Sequence, residues 1–296
     1  MTKYKYTGLF LLMMAVTIIG CSDLEVEIPD FRVTMDSATV KAGHEVKFLI
    51  EGEPYFMTFY SGEDGHRYEY KDRIEAEGTP AMSFKNTTRW GAQENTLQIL
   101  ASANLSGKAD AASIGAATWT DITSGFSLDA NAGSWNFVES GQNDLSEFIG
   151  KPLYVAFKFT GTAGSTQRTW RISDFSIVLN TADGEVINVA DNANPGFTTV
   201  DVEGEGKEWK WKNTYWEMAG GNASAPTNED WLVAGPLNLA AVSPDKGVSQ
   251  NSYTDKVSEI AHTYSSPGTY TATFLGINAT VDDSKVIVKE ITFEVQ

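Results

Sequence analysis

The sequence is poor in the residues that staple small folds or hold metals. One cysteine in 296 residues excludes an intramolecular disulfide framework and a cysteine-rich zinc module. The three histidines, His44, His66 and His262, form no His-x-x-x-His pair and no Glu-linked metal spacing. There is no Gly-x-Ser-x-Gly nucleophile elbow and no glycine loop to cradle a phosphate; Gly204-Glu205-Gly206 lacks the third glycine of a dinucleotide turn. Basic side chains are outnumbered 22 to 39, and a formal charge of −17 argues against nucleic acid or anionic lipid headgroups as the main partner. Charged residues are nevertheless only 21% and aromatics 11%, too apolar a mix for an acidic disordered segment. From Phe31 onward no stretch shows convincing helical periodicity.

What is present is glycine and aromatic: 26 glycines, 11 tyrosines, 15 phenylalanines and 8 tryptophans, the composition of turns and aromatic-rich strands. Short segments of alternating polarity are punctuated by Gly, Asn, Asp or Pro, as in Val46–Ile50, Thr96–Leu100, Leu153–Phe159, Trp170–Ile172, Tyr270–Phe274 and Ile291–Val295. This pattern predicts an all-β protein of largely antiparallel sandwiches or barrels, with one helical turn at Asp144–Phe148. At roughly 150 residues per domain the length suggests two domains. No internal repeat or low-complexity tract is found.

Lys3 and Lys5 precede an uncharged apolar run, Gly8–Ile19, too short for a bilayer span of about 20 residues and patterned as a secretory h-region. The following Ile18-Ile19-Gly20-Cys21 resembles the bacterial lipobox, departing from it at Ile19, where a small residue is usual. The resemblance implies that residues 1–20 are a removed signal peptide, that Cys21 is lipidated, and that 21–30 form a tether. Removal takes two lysines and no acid, leaving 276 residues and a formal charge of −19 (20 basic against 39 acidic). Several acyl chains on one residue anchor stably where one does not. Ser22-Asp23-Leu24-Glu25-Val26-Glu27 resembles the surface-export signal of Bacteroidota-type lipoproteins. It implies an outer-membrane lipoprotein facing the cell exterior, touching the membrane through its lipid alone.

Two distant segments carry parts of one pattern. His262-Thr-Tyr-Ser-Ser-Pro-Gly-Thr-Tyr-Thr-Ala-Thr-Phe274 resembles the closing hairpin of PKD-type immunoglobulin-like domains, with Pro267-Gly268 as the turn and Tyr270, Ala272 and Phe274 on one face. Val33-Thr-Met, Lys41-Ala-Gly43, Val46–Ile50, Phe56–Tyr60 and Ser61–Gly65 fit the opening part of such a domain. Residues 31–71 and 241–296 together number 97, close to the ~100 of an immunoglobulin-like sandwich. The expectation is one discontinuous PKD/Ig-like sandwich, since neither piece alone buries enough surface without disulfides or metal. The alternative is two small β units flanking a middle domain.

The middle segment, 72–240, resembles the galactose-binding-like jelly roll of adhesin and carbohydrate-binding modules. The resemblance rests on Trp119–Thr123, Asp144–Phe159, Trp170-Arg-Ile-Ser-Asp-Phe-Ser-Ile177 and Asn228-Glu-Asp-Trp-Leu-Val-Ala-Gly-Pro-Leu-Asn-Leu239. The last motif usually precedes the others, which implies a permuted strand order. The whole arrangement is similar to a lipoprotein family of unassigned function from Bacteroidota polysaccharide-utilisation loci.

Sugars stack apolar C–H faces on flat rings, so aromatics are the functional handle. The densest cluster is Glu208–Glu217. On a strand Trp209 and Trp211 would share one face, and Tyr215 and Trp216 follow a polar stretch. The candidate glycan-binding residues are therefore Trp211, Tyr215, Trp216 and Trp209, with Arg89 and Trp90 as a second group. Trp119, Trp170 and Trp231 sit in strand motifs and are expected in the core. No cofactor is expected; Asp129 with Asn131 and Asp191 with Asn194 place oxygens at alternate turn positions that structural Ca2+ uses, although such turns equally serve their own backbone hydrogen bonds. The resulting expectation is a non-catalytic surface protein that binds polysaccharide or oligosaccharide for an outer-membrane importer, without nucleic acid. The alternative is a structural or adhesive protein-binding lipoprotein. A glycan hydrolase stays open only because 39 acids offer many carboxylate pairs whose separation sequence does not report.

Overall fold

Three strands open the chain: β1 (Phe31–Met35), β2 (Glu45–Gly52) and β3 (Phe56–Tyr60). The computed structural model describes residues 25–296 apart from Ala38, Ala132, Pro195 and Glu205; the expected lipidation site, Cys21, lies outside the described residues. The strands that follow are β4 (Gly78–Arg89), β5 (Leu97–Ser102), β6 (Thr120–Asp121), β7 (Val138–Glu139), β8 (Asn143–Asp144) and β9 (Leu153–Gly161). Then come β10 (Thr169–Thr181), β11 (Val186–Asp191), β12 (Phe197–Glu203), β13 (Lys210–Trp211), β14 (Trp216–Met218) and β15 (Asn228–Leu237). The chain closes with β16 (Val248–Ser249), β17 (Glu259–Thr263), β18 (Gly268–Ala279) and β19 (Ser284–Val295). It is an all-β protein of antiparallel sheets, and it divides into two units, Met1–Asp72 with Asp245–Gln296, and Arg73–Pro244.

In the first unit a three-stranded sheet, β1-β2-β17, faces a four-stranded sheet, β16-β3-β18-β19. Alternation in β2 buries Val46, Phe48 and Ile50 and leaves Leu49 outside. Phe48 meets Phe59 and Phe274 of the opposite sheet at ring centroid distances of 5.6 and 5.1 Å. Tyr264 is fully buried and donates its hydroxyl to the Ser61 carbonyl at 2.9 Å. The His262–Phe274 segment is not a hairpin: β17 pairs with β2, whereas β18 pairs with β3 and β19, so Pro267-Gly268 carries the chain from one sheet to the other. Ala272 and Phe274 do share the buried face of β18.

The second unit packs a seven-stranded sheet, β13-β14-β10-β4-β7 with β11 beside β10 and β8 beside β4, against a five-stranded sheet, β12-β15-β9-β5-β6. The interior is built from Phe84 of β4, Phe157 of β9 and Phe175 of β10, with Phe84 edge-on to Phe157 at 5.0 Å. Burying each such ring stabilises the fold by about 1.5–3 kcal/mol. Strand β9 reads as a nearly continuous apolar run because both its faces are covered: Leu153, Val155, Phe157 and Phe159 face the interior, while Tyr154 and Ala156 lie in a second cluster with Ile114 and Trp231.

That second cluster corrects one expectation. A helix, α1 (Ala111–Ala116), covers the outer face of the five-stranded sheet through Ile114. Six residues are too few to show a 3.6 period, but its start is written in the sequence: the Asp110 carboxylate accepts from the Ser113 N–H while the Ser113 hydroxyl accepts from the Asp110 N–H. The turn expected at Asp144–Phe148 is a single 3-10 turn, Ser146–Phe148. Trp170 and Trp231 are buried, and Trp119 is half-buried against Trp231 at 5.0 Å.

Candidate functional site

The register of the seven-stranded sheet decides which side chains reach its outer face. On β10, Trp170 and Ile172 point into the core, so Arg171 between them points outward, opposite Thr87 of β4 and Glu217 of β14. Arg171 Nε donates to Glu217 Oε2 at 2.8 Å. Past Asn86, no strand among the described residues pairs with β4 on its other side, and the segment following Phe126 runs along that edge instead. Asn86 fixes it twice, with Nδ2 donating to the Ser127 carbonyl (3.0 Å) and Oδ1 accepting from the Asp129 N–H (2.7 Å). Asp129 Oδ2 then accepts from the Thr88 N–H at 2.9 Å. The Thr87 hydroxyl lies 3.2 Å from the same carboxylate oxygen and 3.3 Å from the Ser134 carbonyl.

This clipped segment delivers Trp135 onto the sheet. The Arg171 guanidinium carbon stands 3.5 Å from the Trp135 ring centroid and 4.6 Å from that of Tyr215. Arg89, at the end of β4, lies 5.4 Å from the Trp90 ring and 5.6 Å from the Trp135 ring. The two indoles meet edge to face at 5.2 Å and 90°, and Phe137 packs on Tyr215 at 6.2 Å. Aromatic rings and guanidinium groups thus alternate across one surface: Trp90, Arg89, Trp135, Arg171, Tyr215, Phe137. Each cation–π contact is worth about 0.5–1 kcal/mol at an exposed site, enough in series to hold the rings in place. Trp90 is 55% exposed and has φ +58°, a left-handed conformation uncommon for a bulky residue and of the kind that clusters where a side chain is aimed for use.

Among the six candidate ligand residues, the structure brings Arg89, Trp90 and Tyr215 together on this surface. Trp209 does not belong to it. It is 1% exposed, packed in the interior with its ring N–H directed at the Asp230 carbonyl, 3.4 Å away. The shared face expected for Trp209 and Trp211 fails because strand β13 begins only at Lys210, so period two does not extend back to Trp209. Trp211 is 43% exposed and leans on Trp216 at 5.4 Å. Trp216 is opposite the buried Ile172 and packs on Phe197 at 5.6 Å, which makes it a rim residue of the core. Three members of the platform, Trp135, Phe137 and Arg171, are absent from the sequence candidates. The signal for Trp135 is an isolated indole in a polar Gly-Ser segment; for Arg171 it is a charge between two apolar strand residues.

The cation candidates are engaged by the chain itself. Asp129 Oδ1 accepts from the Asn131 N–H at 2.8 Å. Asp191 Oδ1 accepts from the N–H groups of Ala193 and Asn194 (2.8 and 3.0 Å) and its Oδ2 from Asn188 Nδ2 (3.0 Å). The Ala193 N–H bond is the main cause holding the Asp191 carboxyl below its usual range. Among the described residues no three His, Cys, Asp or Glu side chains are grouped to hold a metal. In the first unit, His262 Nε2 lies 2.7 Å from Glu63 Oε2, and the His66 ring donates Nδ1–H to the Lys246 carbonyl at 2.6 Å.

One carboxyl stands apart. Asp230 of β15 is fully buried on the inner face, two residues from Leu232 of the core. Among the described residues neither of its oxygens, nor either polar atom of the Asn228 side chain, has a partner in hydrogen-bond geometry. Burial, reinforced by the Asp201 carboxylate opposite it on β12, pushes its pKa up to about 7.

A family model described as "Domain of unknown function (DUF5017)" matches residues 20–197, which include Arg89, Trp90, Trp135, Phe137 and Arg171. No curated protein and no solved structure matches the chain.

Proposed function

The chain belongs to this domain family of unknown function, and on that premise we propose that it is a non-catalytic glycan-binding protein of the cell surface. The observation that supports this reading is the ring-and-guanidinium platform on the outer face of the seven-stranded sheet. Flat rings fixed by neighbouring cations offer stacking surfaces for sugar C–H faces, while arginine donors reach the hydroxyls. Rings held before the ligand arrives lose little freedom on binding. The lipobox-like Ile18–Cys21 supports a lipid anchor at Cys21. The sequence motifs support a split PKD-like sandwich carrying an inserted galactose-binding-like jelly roll, working beside an outer-membrane importer. Tethering raises effective concentration, so a weak site suffices for capture.

The test is affinity electrophoresis and calorimetry of the full chain across a panel of plant, algal and host polysaccharides. Binding to at least one polymer, weakened tenfold or more by Trp135→Ala or Trp90→Ala with the melting temperature kept, is the expected result. Failure to bind any polymer overturns the reading. Unchanged affinity in both variants overturns the placement of the site.

A further inference from the structure

Resting on the glycan-binding reading, we propose that the platform selects acidic glycans, with Arg89 as the residue that receives the anionic group of the sugar, a uronate carboxylate or a sulfate ester. The argument begins with charge. The chain carries 39 acids against 22 bases, and the other arginines and lysines that approach a carboxylate in this unit are paired: Lys85 with Glu139 and Asp174, Lys158 with Glu229, Arg73 with Glu185, Arg171 with Glu217. Arg89 has no carboxylate partner and no hydrogen-bond acceptor among the described residues. Its guanidinium is held by the faces of Trp90 and Trp135 instead. These cation–π contacts hold the group between the two rings and leave its N–H fork unspent, free to accept a carboxylate or sulfate through two parallel hydrogen bonds.

The surroundings agree in sign. Lys210 stands opposite Glu217 across β13 and β14, in one row with Arg171. Among the described residues this end of the outer face therefore carries three cations, Arg89, Arg171 and Lys210, against two carboxylates, Glu217 and the Asp129 carboxylate held at Thr87, on a chain whose formal charge is −17. At ordinary salt the field of the distant acids is screened within about 8–10 Å. The local positive surface therefore determines which groups are accepted once a polymer is in contact. A neutral sugar would use the rings and leave a desolvated guanidinium unpaired; an acidic sugar uses both.

The experiment is calorimetry of the full chain against polygalacturonate, alginate and a sulfated galactan, each beside its carboxyl-reduced or desulfated counterpart, with a single-stranded oligonucleotide as a non-glycan polyanion. The acidic polymer is expected to bind at least about tenfold tighter than its neutralised counterpart, and the preference should shrink between 50 and 500 mM salt, both being order-of-magnitude expectations for one or two charge-assisted contacts. Arg89→Met should collapse that preference, Arg89→Lys should restore part of it, and Lys151→Met, an equal loss of charge before β9, should keep it. Preference for the carboxylated or for the sulfated polymer identifies which anion is read. Equal affinity of the unmodified protein for acidic and neutralised polymers overturns the selectivity while leaving glycan binding standing. Absence of binding to every polysaccharide overturns both. Tighter binding of the oligonucleotide than of any polysaccharide overturns the assignment of the surface to sugars.

Discussion

Asp230→Asn replaces a fully buried carboxyl with its neutral isostere, and the consequence for stability depends on pH. Asp230 titrates near 7 in the folded chain and near 3.8 when exposed, so between those values the folded state holds a proton that the unfolded state has released. Stability then falls as pH rises through this window, and what is present below about pH 4 is lost by about pH 7. At about 1.4 kcal/mol per unit the full shift amounts to at most about 4 kcal/mol, and relaxation around the charged form reduces it to about 2. Asparagine never ionises, so the variant should match the parent near pH 4 and exceed it by about 2–4 kcal/mol at pH 8. All eight tryptophans lie within Arg73–Pro244, which makes indole fluorescence a reporter of this unit alone. With a urea slope of about 2 kcal/mol per molar, the midpoint at pH 8 should rise by about 1–2 M, with no rise at pH 4. An equal midpoint shift at both pH values, or a loss of stability at pH 8, refutes the argument.

Other outcomes follow from single contacts. Gly91→Ala sets a Cβ 2.3 Å from the Thr166 carbonyl oxygen at a position with φ +61°, so it should cost about 2–4 kcal/mol in urea titrations. It should also weaken glycan binding by displacing Trp90. Tyr264→Phe leaves the Ser61 carbonyl without its 2.9 Å donor and should destabilise the first unit by about 1–3 kcal/mol, read by far-ultraviolet circular dichroism. Cys21→Ser should move the protein from the membrane fraction to the soluble one; retention in the membrane fraction refutes the lipid anchor.

Strands were legible where local pattern suffices. The alternation of Val46, Phe48 and Ile50 and the unbroken apolar run of Leu153–Phe159 each name a sheet environment, one-sided in β2 and two-sided in β9. Patterns needing longer strands than the fold provides misled, as at Trp209, where two residues of strand cannot sustain an alternation. The Pro267-Gly268 turn looked like a hairpin because a turn signal does not say whether the next strand returns to the same sheet. The platform was only partly readable for a different reason. Arg89, Trp135, Arg171 and Tyr215 come from four separate segments, and they lie side by side only through the pairing of β4, β10 and β14 together with the Asp129 clip that carries Trp135 onto the sheet.

The Asp129 clip ties that surface to the colloidal behaviour of the protein. Among the described residues no strand faces the edge of β4 from Thr87 to Arg89, and an open edge is a template for another chain. The Asp129 carboxylate occupies the Thr88 N–H that such a chain would use, and it places negative charge along the same edge. The side chain that brings Trp135 over the sheet is also the one that blunts its edge. Loss of Asp129 would therefore cost more than ligand: it would expose a pairing edge beside a cluster of indoles, and self-association in concentrated solution would accompany the loss of binding.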